Sequence, residues 1–238
     1  MDIFKFSALT RVRSISTAER AGIFLDDELF DIFMSGHLDL LQDKKLCKEL
    51  AKLDLGSCEA EDRELMKRGV RLLAYPDPYY PELLRQLPDP PPCLYLLGET
   101  AALEKPAIAI VGSRIASVYG LTVAETISKD LALDGLTVVS GLARGIDSAA
   151  HRGSLAVPGS QVAVVGTGID DCYPKENKGL MDEILAKGGA VVTEFPPKTP
   201  PFKQNFPCRN RIIAGLAWGT VVVQATEYSG SLATARFA

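Results

Sequence analysis

Apolar positions follow two different rhythms along the chain. From the start to about residue 70 they recur at helical spacing among charged residues. Ala18-Glu19-Arg20-Ala21-Gly22-Ile23-Phe24-Leu25 and Glu28-Leu29-Phe30-Asp31-Ile32-Phe33 are examples. That period predicts a small bundle of short helices. After Lys105 the apolar residues gather into continuous runs at Ala107–Val111, Leu136–Val139, Gln161–Val165, Ala190–Thr193 and Thr220–Gln224. Each run leads into a loop bearing Gly or Ser and then a helical stretch. Runs without alternation, separated by helices, predict parallel strands buried on both faces. The expected architecture is α/β: a doubly wound parallel sheet preceded by a small N-terminal helical domain.

Between the two rhythms the prolines are dense, in Tyr75-Pro76-Asp77-Pro78-Tyr79-Tyr80-Pro81 and Pro88-Asp89-Pro90-Pro91-Pro92. Aromatics and leucines threaded through them predict a stiff connector packed on the core rather than disorder. The expected domains are therefore 1–70 (helical), 71–105 (proline-rich connector) and 106–238 (doubly wound sheet). The last residues, Ser231 to Ala238, read as part of the helix after the fifth strand. Such a sheet normally continues with another strand, so the expectation is a C-terminally truncated domain.

Composition narrows the class. The 238 residues are 47% hydrophobic and 24% charged, as in ordinary globular proteins. No apolar run reaches the length of a membrane span, and Met1-Asp2-Ile3-Phe4-Lys5 lacks the basic and apolar regions of a signal peptide. The five cysteines form no CxxC pair, which speaks against a disulfide framework or a zinc knuckle and predicts a reducing, cytoplasmic setting. The net charge of −4 is uneven: residues 1–104 hold 13 Lys and Arg against 19 Asp and Glu, whereas residues 105–238 hold 13 against 11. Lys44, Lys45, Lys48 and Lys52 share a helical face that reads either as solvated surface or as a basic contact.

Ligands of an open parallel sheet bind beyond the carboxyl ends of its strands. In strand order the loops there hold Gly112-Ser113-Arg114, then Ser140-Gly141-Leu142-Ala143-Arg144 with Asp147. Gly166-Thr167-Gly168 with Asp170, Tyr173-Pro174 and Lys175 come next, followed by Lys198 to Arg211 and Tyr228-Ser229-Gly230-Ser231. Seven cations, Arg114, Arg144, Lys175, Lys198, Lys203, Arg209 and Arg211, are thus expected on one edge. Phe206 to Leu216 reads as a helix with two arginines in its first turn. A helix N-terminus is already positive, so cations placed there imply a bound anion. A buried ion-pair network is the other reading of Arg209 and Arg211, and Asp147 either caps its helix or pairs with Arg144. His151 has no histidine nearby and reads as structural.

Several chemistries are disfavoured. The first strand is not followed by GxGxxG, the second ends in Ser140-Gly141 rather than in an acid for a ribose hydroxyl, and GxxxxGK[ST] is absent. The residues show no nucleophile–base set and no metal-ligand cluster, so neither a catalytic residue, a metal nor a cofactor is expected.

Taken together, Ala109-Ile110-Val111-Gly112-Ser113-Arg114, Ser140 to Asp147, Gly166 to Asp170 with Tyr173-Pro174, Phe206 to Leu216, and Ser229 to Leu232 resemble the bacterial DNA-processing protein A (DprA/Smf) family. Tyr79 to Leu84 and Pro90 to Tyr95 fit the segment before that family's core, so the resemblance covers roughly residues 70–238. It implies an extended Rossmann-like fold that binds single-stranded DNA without sequence preference. It also implies protection of incoming strands in natural transformation, loading of the RecA recombinase, and a homodimer. For the N-terminal domain it implies a SAM- or helix-hairpin-helix-like bundle. Carried over residue by residue, Gly112, Ser113 and Arg114 meet a backbone phosphate. Ser140, Gly141 and Arg144 offer amides and charge to the next one. Lys203 and Gln204 add contacts, Phe206 stacks on a base, and Arg209, Asn210 and Arg211 complete the interface. The chain departs from the family pattern at Gln224, where an acid is usual, and at Ala217-Trp218 and Ala233. A small-nucleotide-binding or nucleotide-cleaving protein is the alternative, with Asp147, Asp170 and Glu194 as its candidate bases.

Overall fold

A computed structural model of the chain describes residues 2–12, 14–226 and 229–237. The chain divides into two compact units, Met1–Tyr95 with Glu194–Pro196, and Leu96–Thr193 with Pro197–Ala238.

The first unit contains helices α1 (Ile3–Leu9), α2 (Thr17–Leu25), α3 (Asp27–Ser35), α4 (Lys44–Leu50) and α5 (Leu55–Lys67). Their starts follow from short polar side chains that accept the first free amides. Asp2, Asp26, Asp43 and Asp54 cap α1, α3, α4 and α5, and Ser16 forms a capping box with Glu19 at α2. The aromatic residues face inward: Phe6 meets Phe24 and Phe30 at ring-centroid distances of 5.9 and 5.2 Å, and Phe24 meets Tyr75 at 4.9 Å. Asp62 is fully buried and takes the Arg11 guanidinium at 2.8 Å, while Arg11 and Ser7 also bond the Tyr95 hydroxyl. The proline-rich segment is itself structured. It contains β1 (Arg71–Ala74), the single turn α6 (Glu82–Arg85) and β2 (Cys93–Gly98), the last running into the second unit.

The second unit follows the predicted strand–helix alternation. After α7 (Ala101–Glu104) come β3 (Ala107–Val111), α8 (Val118–Leu133), β4 (Thr137–Ser140), α9 (Ile146–Leu155), β5 (Gln161–Val164), α10 (Lys178–Ala186), β6 (Ala190–Thr193), α11 (Asn205–Gly215), β7 (Gly219–Val222) and α12 (Gly230–Ala235). Strands β3 to β7 are parallel and lie in the order β6-β5-β4-β3-β7. The order moves one way from β3 to β6, and the chain then returns past β3 to place β7. Right-handed crossovers put α8, α9 and α10 on one face and α11 on the other. The switch point of this doubly wound sheet lies between β3 and β7, where a ligand crevice forms beyond the strand ends.

A close-packed core lies behind that edge. Ile110, Ala124, Val138, Ile146, Ala149 and Ala150 form one buried cluster beneath α8 and α9. Gly153 lets the two helices touch, since a Cβ there would lie 2.1 Å from the Glu125 carbonyl oxygen. Among the described residues no helix is long and apolar enough to cross a membrane, and no group of three His, Cys, Asp or Glu side chains is placed to hold a metal.

Candidate nucleic-acid interface

The loops beyond the carboxyl ends of β3, β4, β5 and β6 are tied to one another by backbone and buried side chains. The Ser113 amide donates to the Gln224 carbonyl at 2.7 Å, and Gln224 Oε1 accepts from the amide and hydroxyl of Ser117 at 3.0 and 3.1 Å. Gln224, the departure from the family acid, therefore staples the β3–α8 loop to the end of β7. The Ile146 amide donates to the Ser113 carbonyl at 3.1 Å, which links that loop to the one after β4. Buried Asn177 donates to the Leu142 carbonyl and to Ser148 Oγ at 2.8 and 2.9 Å, holding the Tyr173–Asn177 segment beside it. Asn205 Nδ2 donates to the Gly166 carbonyl at 3.0 Å and seats the start of α11 on the end of β5.

On this frame stands a compact group of exposed and half-exposed side chains. The exposed Arg114 guanidinium lies 5.3 Å from the Phe206 ring centroid, within cation–π range. Tyr173 also meets this ring, centroid to centroid 5.6 Å at 41°. The Phe206 ring packs on Gly166, where a Cβ would sit 2.9 Å from Cδ1. Arg144 reaches the same pocket, but its Nε donates to Glu176, and the pair is exposed on both sides. The hydrogen bond to Glu176 raises the Arg144 pKa and lowers that of Glu176. Lys175, Lys198, Lys203 and Gln204 are exposed along the same loops, and the Lys198 amide donates to Asp170 at 2.8 Å.

Other residues expected at the edge are turned inward. Helix α11 begins at Asn205, so Arg209 and Arg211 stand in its second turn rather than its first. Pro207 is tolerated as its third residue because first-turn amides need no helical partner. Arg209 is only 4% exposed and Arg211 3%. The Arg209 guanidinium donates to the carbonyls of Gly141 (2.7 Å) and Val164, closing the ends of β4 and β5. Burial lowers its pKa to about 10, against the opposing pull of Asp147. The reading of the two arginines as an exposed cation pair is thereby corrected, and five of the seven expected cations remain on the surface.

The loop after β4 is likewise occupied from within. Asp147 is buried and faces Arg209 across Gly141, where a Cβ would fall 2.6 Å from the carboxylate and 2.7 Å from the guanidinium. Its carboxylate accepts from the amides of Ala143 and Gly141. Burial pushes the Asp147 pKa up, while Arg209 and those amides pull it down. Of these two amides, that of Gly141 is expected to meet a phosphate, and an internal carboxylate holds it instead. Ser140, expected to offer an amide, is fully buried, and its hydroxyl donates to the Ile110 carbonyl at 2.7 Å. Ser113 Oγ is engaged in its own turn with Ile115, and Gly112 is half-buried beneath Ile146. Asn210 joins α11 to α12 through the Gly230 carbonyl at 3.2 Å. Tyr228 lies outside the described residues. His151 is fully buried against Gln161 at 3.0 Å.

Tyr173 is a site residue that the sequence reading misses, although an aromatic in the loop after a strand is a visible signal. The Asp147–Arg209 pair had no such signal, because only the fold brings the two together. What remains at the surface is a guanidinium beside two aromatic rings, flanked by lysines. That set suits a flexible polyanion bearing planar groups better than a compact anion.

A sequence model of the family described as DNA recombination-mediator protein A matches residues 71–238. Protein Smf of Escherichia coli K12 is 46% identical over 160 residues, covering 67% of this chain and 43% of its own. The DNA processing protein DprA of Bacillus subtilis 168 is 40% identical over 170 residues, covering 71% of this chain and 57% of its own. The chain spans about half the length of the curated relatives it matches. The X-ray structure of DprA from Streptococcus pneumoniae superposes with a TM-score of 0.81 at 31% identity, over 99% of this chain and 82% of that one. DprA of Helicobacter pylori, solved for its single-stranded DNA binding mode, gives 0.64 at 31% identity over 71% of this chain and 75% of that one.

Proposed function

The chain belongs to the DNA recombination-mediator protein A family, and we propose that it binds single-stranded DNA along the carboxyl edge of its parallel sheet, without preference for base sequence. The observation that carries this reading is the exposed Arg114 guanidinium set 5.3 Å from the Phe206 ring, with Tyr173 beside it, at the crevice side of the sheet. A guanidinium neutralises a backbone phosphate and releases counterions. Aromatic faces take unstacked bases whatever their identity, each worth about 1–3 kcal/mol. Lys175, Lys198 and Lys203 extend the charge along the loops, so a strand is held by its backbone and by stacking rather than by base edges.

In this reading the protein is a binder rather than an enzyme. It acts in the cytoplasm, where it keeps an incoming strand during natural transformation and passes it to the RecA recombinase, working as a homodimer. The family resemblance supports these roles, and the buried Asp147 favours binding over hydrolysis, because its carboxylate is engaged with loop amides rather than facing the crevice.

The test is a titration of labelled oligo-thymidylate into the chain at several salt concentrations, with a matched duplex and a mononucleotide alongside. The proposal expects affinity that falls steeply with salt, prefers the single strand and weakens on Arg114→Ala with a shallower salt slope. Saturation by the mononucleotide with no gain from a longer strand would point instead to a small-nucleotide site.

A further inference from the structure

The first unit contains a groove that the strand-binding edge does not use. It encloses about 510 Å³ among residues of α2, α3 and α4. Its floor is apolar, with Ile15 and Leu41 buried, Leu29, Ile32 and Leu46 half-buried, and Leu40 62% exposed at the lip. Its rim is acidic, formed by Glu19, Asp26, Glu28 and Asp43, all exposed. Lys45 is the one cation among the described residues lining it, and its ammonium lies 3.7 Å from Glu19. Helix capping explains why Glu19, Asp26 and Asp43 stand where they do. It does not neutralise them, because a capping carboxylate accepts from amides and keeps its charge.

Gly22 is an independent observation. It lies inside α2, where glycine costs about 1 kcal/mol relative to alanine. A Cβ built on it would meet nothing within 4 Å, so internal packing does not demand the glycine. Gly22 lines the groove, and its missing side chain leaves the floor open above α2.

A floor of this size with charge confined to the rim has the form of a helix-in-groove site, in which residues at i, i+3, i+4 and i+7 of an amphipathic helix supply the anchors. Rim charge then selects the partner by sign. We propose that this groove docks a basic amphipathic helix from a partner protein, with aliphatic anchors on Ile15, Leu29, Ile32 and Leu46 and Lys or Arg toward the four rim acids. A nucleic-acid strand is repelled by that rim. A second copy of the chain is disfavoured as well, because residues 1–95 hold 17 Asp and Glu against 13 Lys and Arg and would meet their own sign.

The test uses the full chain and a fluorescein-labelled, short amphipathic Leu/Lys helical peptide, read by anisotropy. A Leu/Glu counterpart and a scrambled Leu/Lys peptide of equal composition are the controls. The amphipathic Leu/Lys peptide is expected to bind, and the two controls are not. Gly22→Leu is expected to weaken binding about tenfold or more, equal to about 1.4 kcal/mol, with a melting temperature no lower than that of the parent, since leucine is the better helix former. Glu28→Lys, an exposed change that leaves packing alone, is expected to weaken it several-fold. Equal binding of the scrambled peptide would overturn the proposal. So would undiminished binding by both variants. A wild-type dimer in light scattering that Gly22→Leu splits would also overturn it, by making a second copy the occupant. None of these outcomes bears on strand binding, which Arg114 reports separately.

Discussion

Replacing Arg209 with methionine removes a buried cation while keeping most of its volume, and so separates a structural from a ligand-binding role. The guanidinium bonds the carbonyls of Gly141 and Val164 and faces the buried Asp147 carboxylate across Gly141. A hydrogen bond to a charged group contributes about 1.5–3 kcal/mol. Breaking a buried pair by removing one partner costs about 3–5 kcal/mol, because the other charge is left uncompensated. The two figures overlap, since the same guanidinium serves both, so Arg209→Met is expected to lose about 3–5 kcal/mol in total. Adding Asp147→Asn removes the stranded carboxylate, and the double variant should recover about 1–3 kcal/mol of coupling. The assay is urea unfolding at neutral pH followed by the fluorescence of Trp218, the single tryptophan, which lies in the second unit. A loss below about 1 kcal/mol for Arg209→Met, together with abolished strand affinity, would refute the reasoning and return Arg209 to the interface.

Three further outcomes follow from the same geometry. Burial lowers the His151 pKa to about 4, so its neutral form is favoured when folded. Its contribution is therefore fully present above the unfolded-state value near 6.5 and is lost as pH falls from there toward 4, by about 3 kcal/mol. The wild-type minus His151→Phe difference in unfolding free energy should shrink by that order between pH 7 and 4.5, and a flat difference would contradict the burial. Gly153→Ala forces a Cβ to within 2.1 Å of the Glu125 carbonyl oxygen and is expected to cost about 1–3 kcal/mol or more by forcing α8 and α9 apart, read from a thermal melt. Phe206→Ala is expected to weaken binding of a normal strand by about 1–3 kcal/mol and of an abasic strand far less, since only the former offers bases to stack. Equal losses on both strands would remove Phe206 from any stacking role.

The strand runs of the second unit were legible because a parallel strand buried on both faces has no polar alternation, and Ala107–Val111 and Ala190–Thr193 match β3 and β6 residue for residue. The short β1 and β2 were not, since prolines flank them and their apolar stretches are brief. Arg209 and Arg211 misled for a physical reason. Cations on a helix read as solvent-facing, and only the crossing of α11 beneath the ends of β4 and β5 gives Arg209 a set of inward carbonyls. Asp147 and Arg209 are 62 positions apart, and no local pattern announces their pairing. Exposed Arg114 and Lys203, and half-exposed Phe206, were readable because they stand in loops or at the helix start just beyond a strand end, whose position relative to the sheet follows from strand order alone.

Where the strand lies is tested by a single DNA strand bearing 5-bromo-2′-deoxyuridine, crosslinked to the chain by light and mapped by mass spectrometry. Crosslinked peptides containing Tyr173 and Phe206 are expected, lost on prior addition of unlabelled strand. Crosslinks confined to the first unit, or to the helices away from the carboxyl edge of the sheet, would contradict it.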